Sequence, residues 1–162
     1  MAEILEDINT AVSMRYVVLL DSADLGSFTT CEGLGCEVVM ETREEGGNND
    51  FVWQLPTRLR YSNITLTRPL GPDTTKIAAW FAALATGHRP LTGMIEAQRA
   101  DGTKIASWLL NDVVPVRWKG PSFDPDQPKV LVETLEIAHH GFAAEPGRKI
   151  PPPPQKLGRG IR

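Results

Sequence analysis

Apolar residues in this chain return at every second position, in short blocks fenced by glycine, proline, asparagine and aspartate. That period belongs to β-strands, whose successive side chains point to opposite faces, and it bounds the fold more tightly than any other feature. In Cys36–Arg43, residues Cys36, Val38 and Met40 share one side and Glu37, Glu41 and Arg43 the other, predicting a strand with one buried and one wet face. Residues 63–68 repeat the pattern, with Ile64 and Leu66 opposite Thr65 and Thr67. Residues 15–20 (RYVVLL) are apolar on both sides, as in a strand covered on both faces. Shorter strands are predicted at 28–31 and at 51–55, the latter ended by Pro56.

One segment breaks the period. In Thr74–Thr86, residues Ile77, Trp80, Phe81 and Leu84 fall at i, i+3, i+4 and i+7, the stripe of a helix laid on a core. Asp73 precedes it as a candidate N-cap, and Gly87 follows as a candidate left-handed terminator. The opposite face carries Thr75, Ala79, Ala82, Ala83 and Thr86 with no acid. Two readings stay open: alanine is the best helix former, or a neighbouring backbone approaches closely there.

Beyond the helix, 94–99 and 104–110 flank Asp101-Gly102, a short-range hairpin signal. Further strands are expected at 113–119, where Pro115 implies an edge or a bulge, and at 130–140. Glu133 falls on the apolar side of that last strand with Leu131, Leu135 and Ile137, so it is either paired or displaced by a bulge. Residues 121–129 and 44–50 read as loops. The expected fold is mainly β with one helix: a small antiparallel barrel or sandwich flanked by α-helix over residues 1–143. Residues 144–162, with Pro151–Pro154, form a Pro-rich basic tail expected to be extended or disordered.

Charge is unevenly spread. From Glu145 onward five basic residues face one acid, giving +4, which leaves −7 in the rest of a chain whose total is −3. Nothing in that balance calls for nucleic acid. Residues 1–10 hold Glu3, Glu6 and Asp7 and no basic residue, so neither a secretory signal nor a membrane span is expected. The expectation is synthesis in the cytoplasm and exit only as part of a larger particle. Cys31 and Cys36 cannot complete a tetrahedral zinc site by themselves, and free thiols are expected of a cytoplasmic protein.

Catalysis needs convergent polar groups in defined roles, and the sequence assembles none. His88 lies on a turn, while His139 and His140 are adjacent on a strand and must face opposite ways. Gly46-Gly47 lacks the Lys-Ser/Thr that would make it a phosphate loop. The acids Glu41, Glu44, Glu45 and Asp50 do not have the spacing of an EF-hand. No cofactor, metal or catalytic residue is assigned. A monomeric β-barrel module for a small ligand stays open as an alternative of a different class; it needs an apolar pocket with polar anchors.

An ordered set of segments carries a resemblance. FTTCEGL (28–34), EEGGNN (44–49), QLP (54–56) and ITLTR (64–68) come first, then the helix with Trp80. WLLN (108–111), VPVRW (114–118) and VETLEIAHHG (132–141) follow. In order and spacing, from Arg15 to Gly141, the chain resembles the T4-type phage tail-tube protein family. That family includes the tubes of extracellular contractile injection systems, and its fold is similar to the haemolysin-coregulated tube protein of type VI secretion. The resemblance implies a structural subunit of homohexameric rings, joined sheet edge to sheet edge and stacked into a conduit. Its partners would be itself, a sheath protein that drives the tube through a membrane, baseplate and spike proteins, and cargo in the lumen. A tube-initiating baseplate ring or a phage tail tube would share the fold. The resemblance also places Glu44, Glu45, Gly46, Gly47, Asn48, Asn49 and Asp50 where one ring meets the next.

Overall fold

Alternation becomes burial along three central strands. Ile64, Leu66 and Arg68 turn inward from one of them, Glu133, Leu135 and Ile137 from its neighbour, and Ile95 and Ala97 from a third. The computed structural model describes residues 14–21, 23–44, 46–47, 52–87, 89–121 and 130–143. Ten strands and one helix are found there. They are β1 (Met14–Leu20), β2 (Ala23–Phe28), β3 (Thr30–Glu32), β4 (Cys36–Arg43), β5 (Trp53–Tyr61), β6 (Ile64–Pro69) and α1 (Thr74–Thr86). There follow β7 (Leu91–Arg99), β8 (Lys104–Lys119), β9 (Val132–Ala138) and β10 (Phe142–Ala143).

The main sheet runs β2-β1-β7-β8-β9-β6-β3 with every pairing antiparallel, and β10 adds to β8. Its hydrogen-bonded path stays open, with β2 and β3 at the two ends, so the expected barrel does not close. The chain passes between those ends through Thr29 alone, whose N–H donates to the Thr67 carbonyl at 2.9 Å. The fold class is otherwise as expected, mainly β with α1 against the sheet.

β8 organises the sheet. Its first part pairs with β7 up to Val113, with a register shift past Leu110, and its last part pairs with β9 from Val114. The sequence reading separated 104–110 from 113–119, whereas the strand is continuous. Asp112 takes φ 49°, and Asn111 keeps both backbone bonds through His140 and Gly141, so the chain turns without losing its partners. The register shift beside Pro115 is the bulge that proline requires.

Five further expectations are corrected. β5 continues through Pro56, because a bulge opposite Val39 and Met40 absorbs the missing donor and the Thr57 hydroxyl bonds the Val39 carbonyl at 2.8 Å. Asp73 does not cap α1; its carboxylate turns to Lys76 at 2.8 Å. Gly87 ends the helix at φ 155°, ψ 139°, not in the left-handed helical region. The last strand is shorter than 130–140, and a strand at 23–28 precedes the segment expected at 28–31.

The core contains Leu25 and Phe28 from β2, Val18 from β1, Ile77 from α1, Leu110 and Val113 from β8, and the inward rows of β6, β7 and β9. Among them lie two charges. Arg68 and Glu133 occupy opposed positions on β6 and β9, bonded at 2.5 Å. Arg68 also donates to the Leu25 carbonyl at 2.6 Å and stacks 4.5 Å over the Phe28 ring. Glu133 accepts from the Thr74 hydroxyl and the Trp118 indole, each at 3.1 Å. The pair therefore joins β2, β6, β8, β9 and the first residue of α1 at one point. The paired alternative for Glu133 is the one realised.

Candidate assembly surfaces

β4 and β5 stand apart from the main sheet as a two-stranded ribbon. Their register sets Val38 opposite Leu59 and Met40 opposite Pro56 on one face. The other face pairs Glu37 with Arg60, an ion pair at 3.0 Å, and Val39 with Arg58. The ribbon is thus amphipathic, as the period-2 pattern predicts. The expected burial of its apolar face is not found: Val38, Met40 and Leu59 are 49%, 44% and 53% exposed. Periodicity states that a face requires cover, and here no segment of the described chain supplies it. A hairpin alone is marginally stable in water, so such a face favours a partner.

The ribbon is anchored at its base. Tyr61 packs on His139 and Phe142 at ring-centroid distances of 5.4 and 5.9 Å, and its ring lies on Gly141, where a Cβ would sit 3.0 Å from Cζ. Just past the end of β9, His139 is buried and His140 exposed.

At the ribbon's far end lies the loop expected to mediate ring stacking. Glu44, Gly46 and Gly47 are described; Glu45, Asn48, Asn49 and Asp50 lie outside the described residues. Gly47 takes φ 104°, a conformation that L side chains rarely adopt, and among the described residues neither glycine has a neighbour within 4 Å of a Cβ position.

On α1, Ile77 is fully buried, Trp80 and Phe81 are half-buried against the core, and Leu84 is half-buried. Ala79, Ala82 and Ala83 are exposed. A cavity of about 480 Å³ opens between the C-terminal half of α1 and the ends of β1, β2 and β7. Cys31 and Cys36 are free thiols, and burial pushes the Cys31 thiol up to about 11, with the Glu32 charge adding to the effect. His88 and the acids Glu45 and Asp50, weighed in the sequence as ligands, lie outside the described residues. Among the described residues, no three His, Cys, Asp or Glu side chains cluster as a metal site, and no helix is long and apolar enough to cross a membrane.

The ribbon and residues 44–50 lie within the span of one family match: T4-like virus tail tube protein gp19, over residues 12–143. The chain belongs to this family. Its members are structural tube proteins, not enzymes. A search of curated protein sequences gives no match. Solved structures share the fold of this tail tube family member. A chain of the extracellular contractile injection system PVC sheath-tube complex in the extended state aligns with TM-score 0.71 and 19% identity, covering 88% of this chain and 95% of that one. A chain of the anti-feeding prophage baseplate aligns with TM-score 0.68 and 19% identity, covering 81% and 91%. A chain of the anti-feeding prophage tube-terminating cap aligns with TM-score 0.63 and 23% identity, covering 76% and 82%.

Proposed function

We propose that this chain is the building subunit of an inner tube, assembling as stacked hexameric rings that a surrounding sheath drives into a target membrane. The observation that carries this reading is the apolar row Val38, Met40 and Leu59 on a ribbon that the described residues leave uncovered. A neighbouring copy would cover it, and rotational closure of the ring gives every ribbon the same partner. Residues 44–50, at the ribbon's tip, would meet the next ring. Sheath, baseplate and spike proteins are the other partners, with cargo in the lumen, and the working place is a tail-like particle. Residues 1–143 are the assembling domain, and 144–162 a basic tail beyond it.

A tube-initiating or terminating ring is the second reading, favoured by the likeness to the baseplate and cap chains. Negative-stain microscopy of the purified protein separates the outcomes. Long tubes support the tube body; single rings that do not elongate support the initiator or cap. A monomer at every concentration overturns both and restores the monomeric ligand-binding module.

A further inference from the structure

The ribbon continues one edge of the main sheet. β3 pairs with β6 as far as Glu32 opposite Thr65, and β4 pairs with β5 from Cys36 opposite Tyr61. Both chains therefore pass from sheet to ribbon at one place, residues 33–35 on one side and Ser62 and Asn63 on the other, where the ladder lapses. At Gly33 the two chains touch: φ is 87°, and a Cβ would sit 2.1 Å from the Asn63 carbonyl oxygen. Leu34 packs on the core and pins its chain there. Gly35 comes next, and among the described residues nothing lies within 4 Å of its Cβ position. A glycine with open space around it, facing residues outside any ladder, is a place where two rigid bodies turn on each other.

Each body is held by its own bonds. β4 and β5 share eight registered pairs, and the Arg60–Glu37, Arg43–Glu41 and Thr57–Val39 side-chain bonds all stay inside the ribbon. Among the described residues the two strands pack on each other, and on no other strand or helix to a comparable extent. Beyond the crossing, the tie to the body is the Tyr61 ring, seated on Gly141 beside His139 and Phe142. The seat itself is fixed, because His140 and Gly141 are bonded to Asn111 of β8. It also carries a penalty: the Nε2 of His139 is buried with no hydrogen-bond partner among the described residues.

We propose that the ribbon is a hinged arm, turning as a unit about Gly35 and Ser62–Asn63, and that Tyr61 is the latch that holds it to the sheet in the free subunit. Aromatic contacts favour the closed latch, and the unpaired His139 nitrogen favours opening. The arm is thus held lightly, and a neighbouring copy that covers the apolar row resets its angle. That purpose rests on the assembly reading; the hinge itself does not.

Spin-label distances in the full chain test the hinge. Labels are attached at Thr42→Cys on the arm and Ala82→Cys on α1, both exposed positions, with Cys31→Ala and Cys36→Ala as background. Met40→Glu with Leu59→Lys is included so that no neighbour holds the arm. With Tyr61 present a narrow distance distribution is expected, and Tyr61→Ala should broaden it several-fold. An equally narrow distribution in Tyr61→Ala would overturn the proposal, because the crossing alone would then fix the angle. A distribution already as broad with Tyr61 in place would overturn it too, by leaving no latch. Where Tyr61→Ala does not fold, Phe142→Ala removes one wall of the seat from a residue already 36% exposed, and is read in the same way. Ring formation by the unlabelled parent chain is scored separately. A latched, swinging arm on a chain that never forms rings supports the hinge and overturns the assembly reading alone.

Discussion

The Nε of Arg68 donates to Oε1 of Glu133 from the directly opposed position on the neighbouring strand, and neither side chain is more than 4% exposed. A buried charge without its partner is costly, whereas replacing both charges by apolar side chains removes the desolvation penalty as well. Glu133→Leu alone should therefore destabilise the subunit by about 3–5 kcal/mol. Glu133→Leu combined with Arg68→Met should cost less, although the Thr74 hydroxyl, the Trp118 indole and the Leu25 carbonyl then lose a partner. Urea denaturation of the two variants compares them; a double variant at least as unstable as the single one would contradict the pairing.

On α1 the sequence stripe ranks four residues alike, but the structure does not. Ile77 is wholly enclosed, so Ile77→Ala should cost about 2–5 kcal/mol. Trp80 keeps part of its ring on the cavity beside α1, and Trp80→Ala should cost roughly half of what emptying a closed aromatic site does, because the transfer free energy follows the area buried. Thermal melts of both variants decide, with Ile77→Ala expected to show the lower midpoint.

The ribbon separates folding from assembly. Met40→Glu with Leu59→Lys places charges on a face that solvent already reaches, so the monomer's melting temperature should stay within a degree or two. Sedimentation should then show rings lost. Replacing Gly46 and Gly47 by valine acts at the tip instead: Gly47 sits at positive φ, where a β-branched side chain is strained, so stacking should fail while rings persist. Long tubes from the valine variant would remove the loop from the inter-ring contact.

The two thiols should differ in behaviour. Cys31, half-buried against the core, has its pKa raised from 9.0 to about 11 by desolvation and by Glu32, and Cys36 is exposed. An aromatic disulfide reagent at pH 8 should label Cys36 quickly and Cys31 slowly. For stability the folded pKa lies above the unfolded one, so Cys31 contributes fully below pH 9 and that contribution is lost as pH rises towards 11. Cys31→Ala should flatten the fall in stability between pH 9 and 11, read by urea titration at each pH.

How far the sequence could be read depended on whether a pattern was closed within its own segment. The bounds of α1 and β4 come directly from apolar spacing and flanking turn residues, and the Asp101-Gly102 turn follows from Gly102 at φ 88°. β2 escaped notice because a register shift at Val18 and Leu19 and a positive φ at Gly26 break its alternation, leaving Leu25 and Phe28 three apart although both are buried. The continuity of β8 depended on Gly141 and His140, far along the chain, and no local signal at Asn111 announces them. For the candidate site, the apolar row of β4 was legible. Whether its cover comes from the same chain is a property of tertiary structure that alternation does not encode.

A strand that belongs to two halves of a sheet also orders the events of folding. β7, β8 and β9 are consecutive in sequence and adjacent in the sheet, whereas β1 meets β7 by joining positions as remote as Met14 and Arg99. Closing short loops costs less entropy than closing long ones, so the three-strand meander centred on β8 is the natural nucleus, and the remote edges add to it later. Until they do, Glu133 on β9 waits for Arg68 on β6, and the last arrivals in the sheet are also those that neutralise the core.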